Sequence, residues 1–340
     1  MKYGRIFKDE NIIKKFNNFI SNPKIDINIS KFKEKKDIIN LGKNINNIIL
    51  FNKNKIIVSY EKARIKFYLF DRKTFRKEIA FIPIEINGLR EIKDLDKVQC
   101  IIELSNGTIL LGTSNGSIIN LEIKETKKKN KSDFNVQLIN QAKLENSKSI
   151  QNLIEINSDV FISHDEDKNN ILWENYEIKK ELTKGNITLV KNILIVLNDT
   201  TNFYDIKNNF EEIAKIDIKL ANHIILEEDY MIGEDYSNNN KFYLINIKEK
   251  KLIKEILYEP EKKFILDIIC GELMFKLVDN EKTTLINVKL EKNNDNKSCD
   301  LIAQNKNSLI IESGPYSLNL FNGFFIICKK NGNINCYGRF

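Results

Sequence analysis

From about residue 44 onward the apolar positions fall in short runs rich in Ile, Leu, Val and Phe, separated by Asn, Gly, Asp and Ser. Runs of that length and composition predict β-strands rather than helices. The clearest stretch is Val98-Gln99-Cys100-Ile101-Ile102-Glu103-Leu104, followed by Ser105-Asn106-Gly107, then Thr108-Ile109-Leu110-Leu111-Gly112-Thr113, then Ser114-Asn115-Gly116-Ser117, then Ile118-Ile119-Asn120-Leu121-Glu122-Ile123. It predicts three antiparallel strands joined by tight turns, with Asn-Gly where a hairpin needs left-handed backbone. The beginning of the chain differs. Asp9 is placed to cap a helix, Ile12, Ile13, Phe16, Phe19 and Ile20 form one stripe at helical spacing, and Asn22-Pro23 ends it. Residues 1–23 are therefore expected to be a segment with a short amphipathic helix, and residues 24–340 a single all-β domain.

The three-strand unit recurs. It runs over Ile48–Phe70, Val98–Ile123, Ser149–Trp173, Ile187–Ile206, Ile224–Ile247, Phe264–Val288 and Leu318–Tyr337. The middle strands lie near Ile56, Ile109, Val160, Ile193, Met231, Met274 and Phe325, a mean spacing of about 45 residues. One four-stranded propeller blade occupies ~40–45 residues. With Phe70-Asp71 and Tyr204-Asp205 closing third strands, the unit resembles the WD40 repeat over roughly residues 44–340. There is no Trp-Asp pair and no Gly-His pair, so the resemblance is to a divergent member. It implies a seven-bladed WD40-like β-propeller, a rigid platform of loops that binds other proteins.

The last unit lacks a fourth strand, and an N-terminal strand is expected to complete it. Ile25-Asp26-Ile27-Asn28-Ile29-Ser30 alternates strictly and is the first candidate; Ile38-Ile39-Asn40-Leu41 is the second. Two polar insertions after third strands, Lys124–Ser132 and Glu291–Ser298, are expected to be surface loops.

Composition narrows the classes. Of 340 residues 42% are hydrophobic and 30% charged, which excludes wholesale disorder. Lys and Arg number 54 against 47 Asp and Glu, a formal +7 that is mild for this size. The N-terminal residues hold no apolar stretch of secretory type, and no window approaches the ~20 apolar residues of a membrane span. The expected setting is intracellular and cytoplasmic, with the nucleus left open. Five scattered cysteines contain no Cys-x-x-Cys, so reduced buried thiols are expected. A two-residue turn at Asn331-Gly332 would pair Cys328 with Asn335 and Cys336 with Ile327, placing the two thiols on opposite faces.

Chemistry is sparse. Only two histidines exist, His164 and His223. Ser163 precedes His164, but neighbours in a strand point to opposite faces, so no nucleophile–base pair forms there. His164 reads as an exposed loop histidine among acids. The run Asp165-Glu166-Asp167-Lys168-Asn169-Asn170 offers oxygens to calcium, yet lacks the Gly and Glu of an EF-hand loop. Trp173 is the sole tryptophan, and the resemblance implies that it packs between blades. No catalytic set, cofactor site or metal site is expected.

Sorting charges by loop gives one more expectation. Turns between second and third strands carry Asp165, Glu166, Asp167, Glu234 and Asp235; the loops at the other end of the strands carry Arg72, Lys73, Lys127, Lys128, Lys129, Lys131, Lys250 and Lys251. These are candidate acidic and basic interaction faces. The expected function is a non-enzymatic protein–protein interaction scaffold within a multiprotein complex. The alternative is a binder of polyanions, nucleic acid or an anionic membrane surface, through the basic face.

Overall fold

The computed structural model describes backbone and side chains of residues 96–124, 135–145, 148–226, 229–237 and 241–255, and the backbone of the remaining strands named here. Every described element is a strand, numbered β1 to β29. β1 is Lys33–Asn40. β2 (Ile45–Phe51), β3 (Lys55–Tyr60), β4 (Arg64–Phe70) and β5 (Phe81–Ile84) form a four-stranded sheet in chain order. β6 (Ile86–Asn87), β7 (Val98–Glu103), β8 (Ile109–Thr113), β9 (Ser117–Lys128) and β10 (Lys131–Lys143) form a five-stranded sheet in which β6 lies outside β10. Next come β11 (Ile150–Glu155), β12 (Val160–Asp165), β13 (Asn170–Glu174) and β14 (Glu177–Leu182). They are followed by β15 (Asn186–Val190), β16 (Ile193–Leu197), β17 (Thr201–Asp205) and β18 (Glu211–Ile216). The next sheet is β19 (Leu220–Leu226), β20 (Tyr230–Asp235), β21 (Lys241–Asn246) and β22 (Lys251–Leu257). After it comes the sheet of β23 (Phe264–Ile269), β24 (Glu272–Val278), β25 (Lys282–Lys292) and β26 (Cys299–Glu312). β27 (Ser317–Phe321), β28 (Phe324–Cys328) and β29 (Asn333–Gly338) end the chain, with β1 as the fourth strand beside β29.

Contacts divide the chain into two compact units. One holds β1–β14 with β27–β29, the other β15–β26.

Each of the seven repeats read from the sequence lies in a sheet of its own. The physical reason is visible in the burial. Second and third strands are continuous apolar runs covered on both faces: all five residues of β8 are buried, as are Leu194–Leu197 of β16 and Met231–Glu234 of β20. Fourth strands are the opposite. Glu177–Glu181 of β14 are all exposed, and so are Glu211–Ile213 of β18. Their charges suit a sheet edge that must not recruit another chain. Bulges recur at matched places, between first and second strands at Val98/Cys100, Ile150/Asn152 and Leu220/Asn222, and between third and fourth at Leu172/Trp173, Phe203/Tyr204 and Leu244/Ile245. A bulge sharpens the local twist, and the sheets of β11–β14 and β19–β22 take it at both positions.

Neighbouring sheets share cores. In the first unit, Cys100, Ile102, Leu110 and Ile118 of one sheet pack with Leu153, Phe161, Ile171 and Trp173 of the next. Trp173 is 2% exposed, stacks on Phe161 at 6.0 Å between centroids and 11° between planes, and donates its indole N–H to Ser163 Oγ at 2.8 Å. That bond satisfies the one polar atom a buried tryptophan brings with it. In the second unit, Ile195, Leu197 and Phe203 pack with Met231, Tyr243 and Ile245.

Four expectations need adjustment. The strand beside β29 is Lys33–Asn40, which contains most of the second-ranked candidate; Ile25–Ser30 and the helix expected in residues 1–23 lie outside the described residues. The β28–β29 register pairs Cys328 with Ile334 and Cys336 with Ile326. It is one position off the expected register. Cys328 and Cys336 are therefore not opposite one another in the ladder: Cys336 lies two positions along from Ile334, the partner of Cys328. His164 is not in a loop: it is the next-to-last residue of β12, partly buried. The insertion expected at Lys124–Ser132, after the third strand, is not wholly a loop either. Lys124–Lys128 and Lys131–Ser132 continue β9 and β10.

Gly185 is held at φ +146°, and a Cβ there would lie 2.5 Å from the Leu197 carbonyl oxygen. Gly107, at φ +83°, has open space around it. Gly185→Ala is expected to lower the urea midpoint by the equivalent of about 2 kcal/mol or more, and Gly107→Ala by about 1 kcal/mol. Equal losses would mean that backbone conformation alone, without the carbonyl contact, sets the cost.

Candidate functional site

Strands alternate in direction, so turns between second and third strands gather at one end of a sheet and the remaining hairpin turns at the other. The first kind of turn carries the acidic candidates. In each well-described sheet a polar side chain there folds back onto its own turn. Thr113 Oγ1 accepts the Ser117 N–H at 2.9 Å. Asp165 Oδ1 accepts the N–H groups of Asp167 and Asn169 at 2.9 and 2.8 Å, and its Oδ2 takes the Asn169 amide at 2.7 Å. Asn198 Oδ1 accepts the Thr200 N–H at 3.0 Å. Asp235 Oδ1 accepts the N–H and hydroxyl of Ser237 at 2.7 and 2.6 Å, and its Oδ2 accepts the Tyr243 hydroxyl at 2.6 Å. Short polar side chains favour such local bonds over exposure, and they fix the turn.

Three of the five acidic candidates are thus occupied within their own sheet. Asp165 is 2% exposed, and Glu234 is buried with the Asn222 amide donating to it at 2.8 Å. Asp235 carries the three bonds just described. Glu166 and Asp167 face solvent, and Asp167 pairs with Lys148 at 3.1 Å. The Asp165 carboxylate that the Asp/Asn run seemed to offer to calcium points instead at its own turn's amides. Among the described residues no group of three or more His, Cys, Asp or Glu could hold a metal ion.

The second unit adds a feature that charge counting misses. Tyr236 follows Asp235 directly and is 60% exposed. Lys219, at the start of the same sheet, places its ammonium 4.3 Å from the Tyr236 ring centroid and 2.6 Å from Asp199 Oδ1. The hydrogen bond to Asp199 holds the Lys219 ammonium above its usual range, and the same bond holds the Asp199 carboxyl below its own. Beside them Tyr243, braced by Asp235, lies under Lys241 at 4.8 Å. Asp199, Lys219 and Tyr236 come from three separate segments. Lys219 and Tyr236 flank the paired ends of β19 and β20, where the Tyr236 N–H donates to the Lys219 carbonyl at 3.1 Å, and Asp199 reaches Lys219 from the adjacent sheet of this unit.

At the opposite strand ends, Lys250 sits in the β21–β22 turn with φ +54° and is partly buried, while Lys251 is exposed and pairs with Glu249 at 2.5 Å. Lys127 and Lys128 end β9 and Lys131 begins β10. Arg72, Lys73 and Lys129 lie outside the described residues.

No family model matches the chain. No curated protein matches it either. Solved structures do. The chain is similar to the WD40 β-propeller domain of Doa1, with a TM-score of 0.56 at 10% identity, over 91% of this chain and 97% of that one. The chain has the WD40-like propeller fold. At so low an identity the likeness carries the fold alone, and the propeller's surface chemistry must be read from its own residues. No described helix is long and apolar enough to cross a membrane.

One titratable group is set into the propeller's turn end. His164 Nδ1–H donates to Asn170 Oδ1 at 2.8 Å. Burial lowers its pKa below 6.5, outweighing the Asn170 bond and the Asp165 charge, which raise it. Between that depressed value and 6.5 the unfolded chain binds more protons than the folded one, so stability rises with pH and falls on acidification. Denaturation midpoints measured at pH about 7.5 and about 5 are expected to show a loss for the native chain and a smaller loss for His164→Gln. An identical pH dependence in both would remove His164 from this role.

Proposed function

We propose that the chain is a non-enzymatic protein-interaction scaffold, a seven-bladed WD40-like propeller that serves as a subunit of a multiprotein complex. The fold supports this reading in general terms, since propellers offer rigid loop surfaces. The observation that carries it is Tyr236. A large aromatic ring stands 60% exposed and is nevertheless held by Lys219, which Asp199 holds in turn. An aromatic side chain ordered before binding loses little rotamer entropy on docking, and tyrosine is enriched at binding hot spots. Glu166, Asp167 and Asp199 give the same kind of turn an acidic character that suits partners with basic side chains. We take the setting to be intracellular, cytoplasmic or nuclear.

The test is purification of the tagged full-length protein from its own cells at low and high salt, followed by mass spectrometry. A defined, stoichiometric set of proteins is expected to survive high salt with the native chain and with Glu177→Ala. It is expected to be depleted at least tenfold with Tyr236→Ala, equivalent to about 1.4 kcal/mol or more of binding energy. Thermal unfolding of the variant is expected to stay within about 0.5 kcal/mol of native, as for a surface substitution. Absence of any retained protein at either salt would overturn the scaffold reading; equal depletion by both variants would overturn the role of Tyr236.

A further inference from the structure

Two Asn-Gly pairs lie wholly within the described residues, Asn106-Gly107 and Asn115-Gly116. Their local sequences match, Ser105-Asn106-Gly107-Thr108 against Ser114-Asn115-Gly116-Ser117. Their glycines share one backbone conformation, at φ +83° and +80°. In this dipeptide a backbone nitrogen is able to attack the neighbouring side chain, because glycine has no Cβ beside that nitrogen to block the approach. On losing its proton to base, the glycine nitrogen bonds to the Asn side-chain carbonyl carbon. The bond from that carbon to the amide nitrogen breaks, ammonia leaves, and a succinimide ring remains. Water then opens the ring to aspartate or isoaspartate. Water is the only co-reactant, and nothing is oxidised or reduced. With sequence and backbone alike in the two turns, a difference in reactivity must come from their surroundings.

The surroundings differ in burial. Asn106 and Gly107 are both exposed, and a Cβ built on Gly107 would have nothing within 4 Å. The new ring finds room there, and water reaches it. The Asn106 side chain is held only at the surface, where its Oδ1 accepts the Thr108 N–H at 3.0 Å and the Thr108 hydroxyl at 2.8 Å. Water replaces such exposed bonds at little cost. Gly116, by contrast, is buried, and its carbonyl accepts the Leu144 N–H at 3.0 Å. Asn115 Oδ1 accepts the Thr113 hydroxyl at 2.6 Å and the Ser117 N–H at 3.3 Å, and both partners are 0% exposed. One contact works the other way. The attacking nitrogen is better held at Gly107, whose N–H donates to the Leu104 carbonyl at 2.8 Å, than at Gly116, where the distance to the Thr113 carbonyl is 3.4 Å. Burial decides between them: the Gly107 bond sits in an exposed turn that opens alone, whereas freeing Asn115 opens the buried strand ends at Thr113 and Ser117.

The exposed turn also carries a contact between sheets. Ser105, next to Asn106, donates its N–H to Glu155 Oε1 at 2.8 Å, and Glu155, 8% exposed, ends β11 of the next sheet. We propose that Asn106 is a site of spontaneous deamidation while Asn115 is protected, and that the change loosens the Ser105–Glu155 contact. The product sets a second carboxylate beside the donor that Glu155 uses, and its isoaspartyl form lengthens the main chain of the turn by a methylene. The proposal does not depend on the scaffold reading.

The test is ageing of the folded full-length protein in mildly alkaline buffer, read by fragment-ion mapping of one tryptic peptide. Residues 98–124 hold no Lys or Arg before Lys124, so a single peptide carries both sites and each is the other's control. In the folded chain Asn106 is expected to convert at least about tenfold faster than Asn115, and in urea the two are expected to convert at rates within about twofold. Gly107→Ala is expected to slow conversion of Asn106 at least about tenfold. The aged chain, separated from the fresh one by ion exchange, is expected to unfold at a lower urea concentration. The proposal is overturned if Asn115 keeps pace with Asn106 in the folded chain, if Asn106 stays unchanged there while both sites react in urea, or if Asn106 leads by the same factor in urea. An unchanged urea midpoint for the aged chain would overturn the link to Glu155.

Discussion

The fold depends on one packing demand. A sheet whose two middle strands are apolar on both faces must be covered on both sides, and the pieces available to cover it are other sheets of the same kind. β8 and β16 show the demand in its strongest form, with side chains buried whichever way they point. Phe161 and Trp173 answer it in the first unit by packing against Cys100, Leu110 and Ile118, and Phe203 meets Met231 and Tyr243 in the second. The fourth strands β14 and β18 lie beyond the covered zone, which is why they carry Glu and Lys where β13 and β17 carry Trp and Phe. Specificity for partners can then be written only where the strands stop.

At those ends the chain spends polar residues on itself first. Asp165, Asn198 and Asp235 each tie down the amides of a turn, and Glu234 holds the Asn222 side chain. A carboxylate with its lone pairs filled by its own backbone is a poor partner for another molecule. At these turns the acids left outside the amide bonds are Glu166 and Asp167 in one unit and Asp199, beside the Lys219–Tyr236 pair, in the other.

Period and turn chemistry made the architecture legible. Asn106-Gly107 and Asn115-Gly116 do place glycines at φ +83° and +80°, and the apolar runs near Ile109, Val160, Ile193 and Met231 are middle strands. What escaped depended on long-range geometry. His164 reads as a loop residue because its neighbours are Asp and Glu, whereas the strand continues through it and pairs it with Asn170. Lys124–Ser132 reads as a loop because lysine and asparagine are poor strand formers, yet each strand there has the other as a template. Cys328 and Cys336 change their relation by a one-position slip, since a register shift of one inverts the face of every residue. Asp199 reaches Lys219 only through the contact of two sheets, so the candidate site was legible as an acidic turn end and not as an aromatic one.

The sheet that ends the chain joins its two extremes: Lys33 pairs with Gly338 and Asn40 with Asn333. Every other sheet draws its strands from a short stretch and gains its hydrogen bonds as soon as that stretch is available. This one must wait. During synthesis the strand at residues 33–40 has no ladder partner until residues 333–338 emerge, so until then it is a bare edge of N–H and C=O groups. Contacts this distant in sequence close last and slowly. The lysines of Lys33-Glu34-Lys35-Lys36 lie on the strand that waits longest, where charge keeps an unpartnered edge from finding the wrong neighbour.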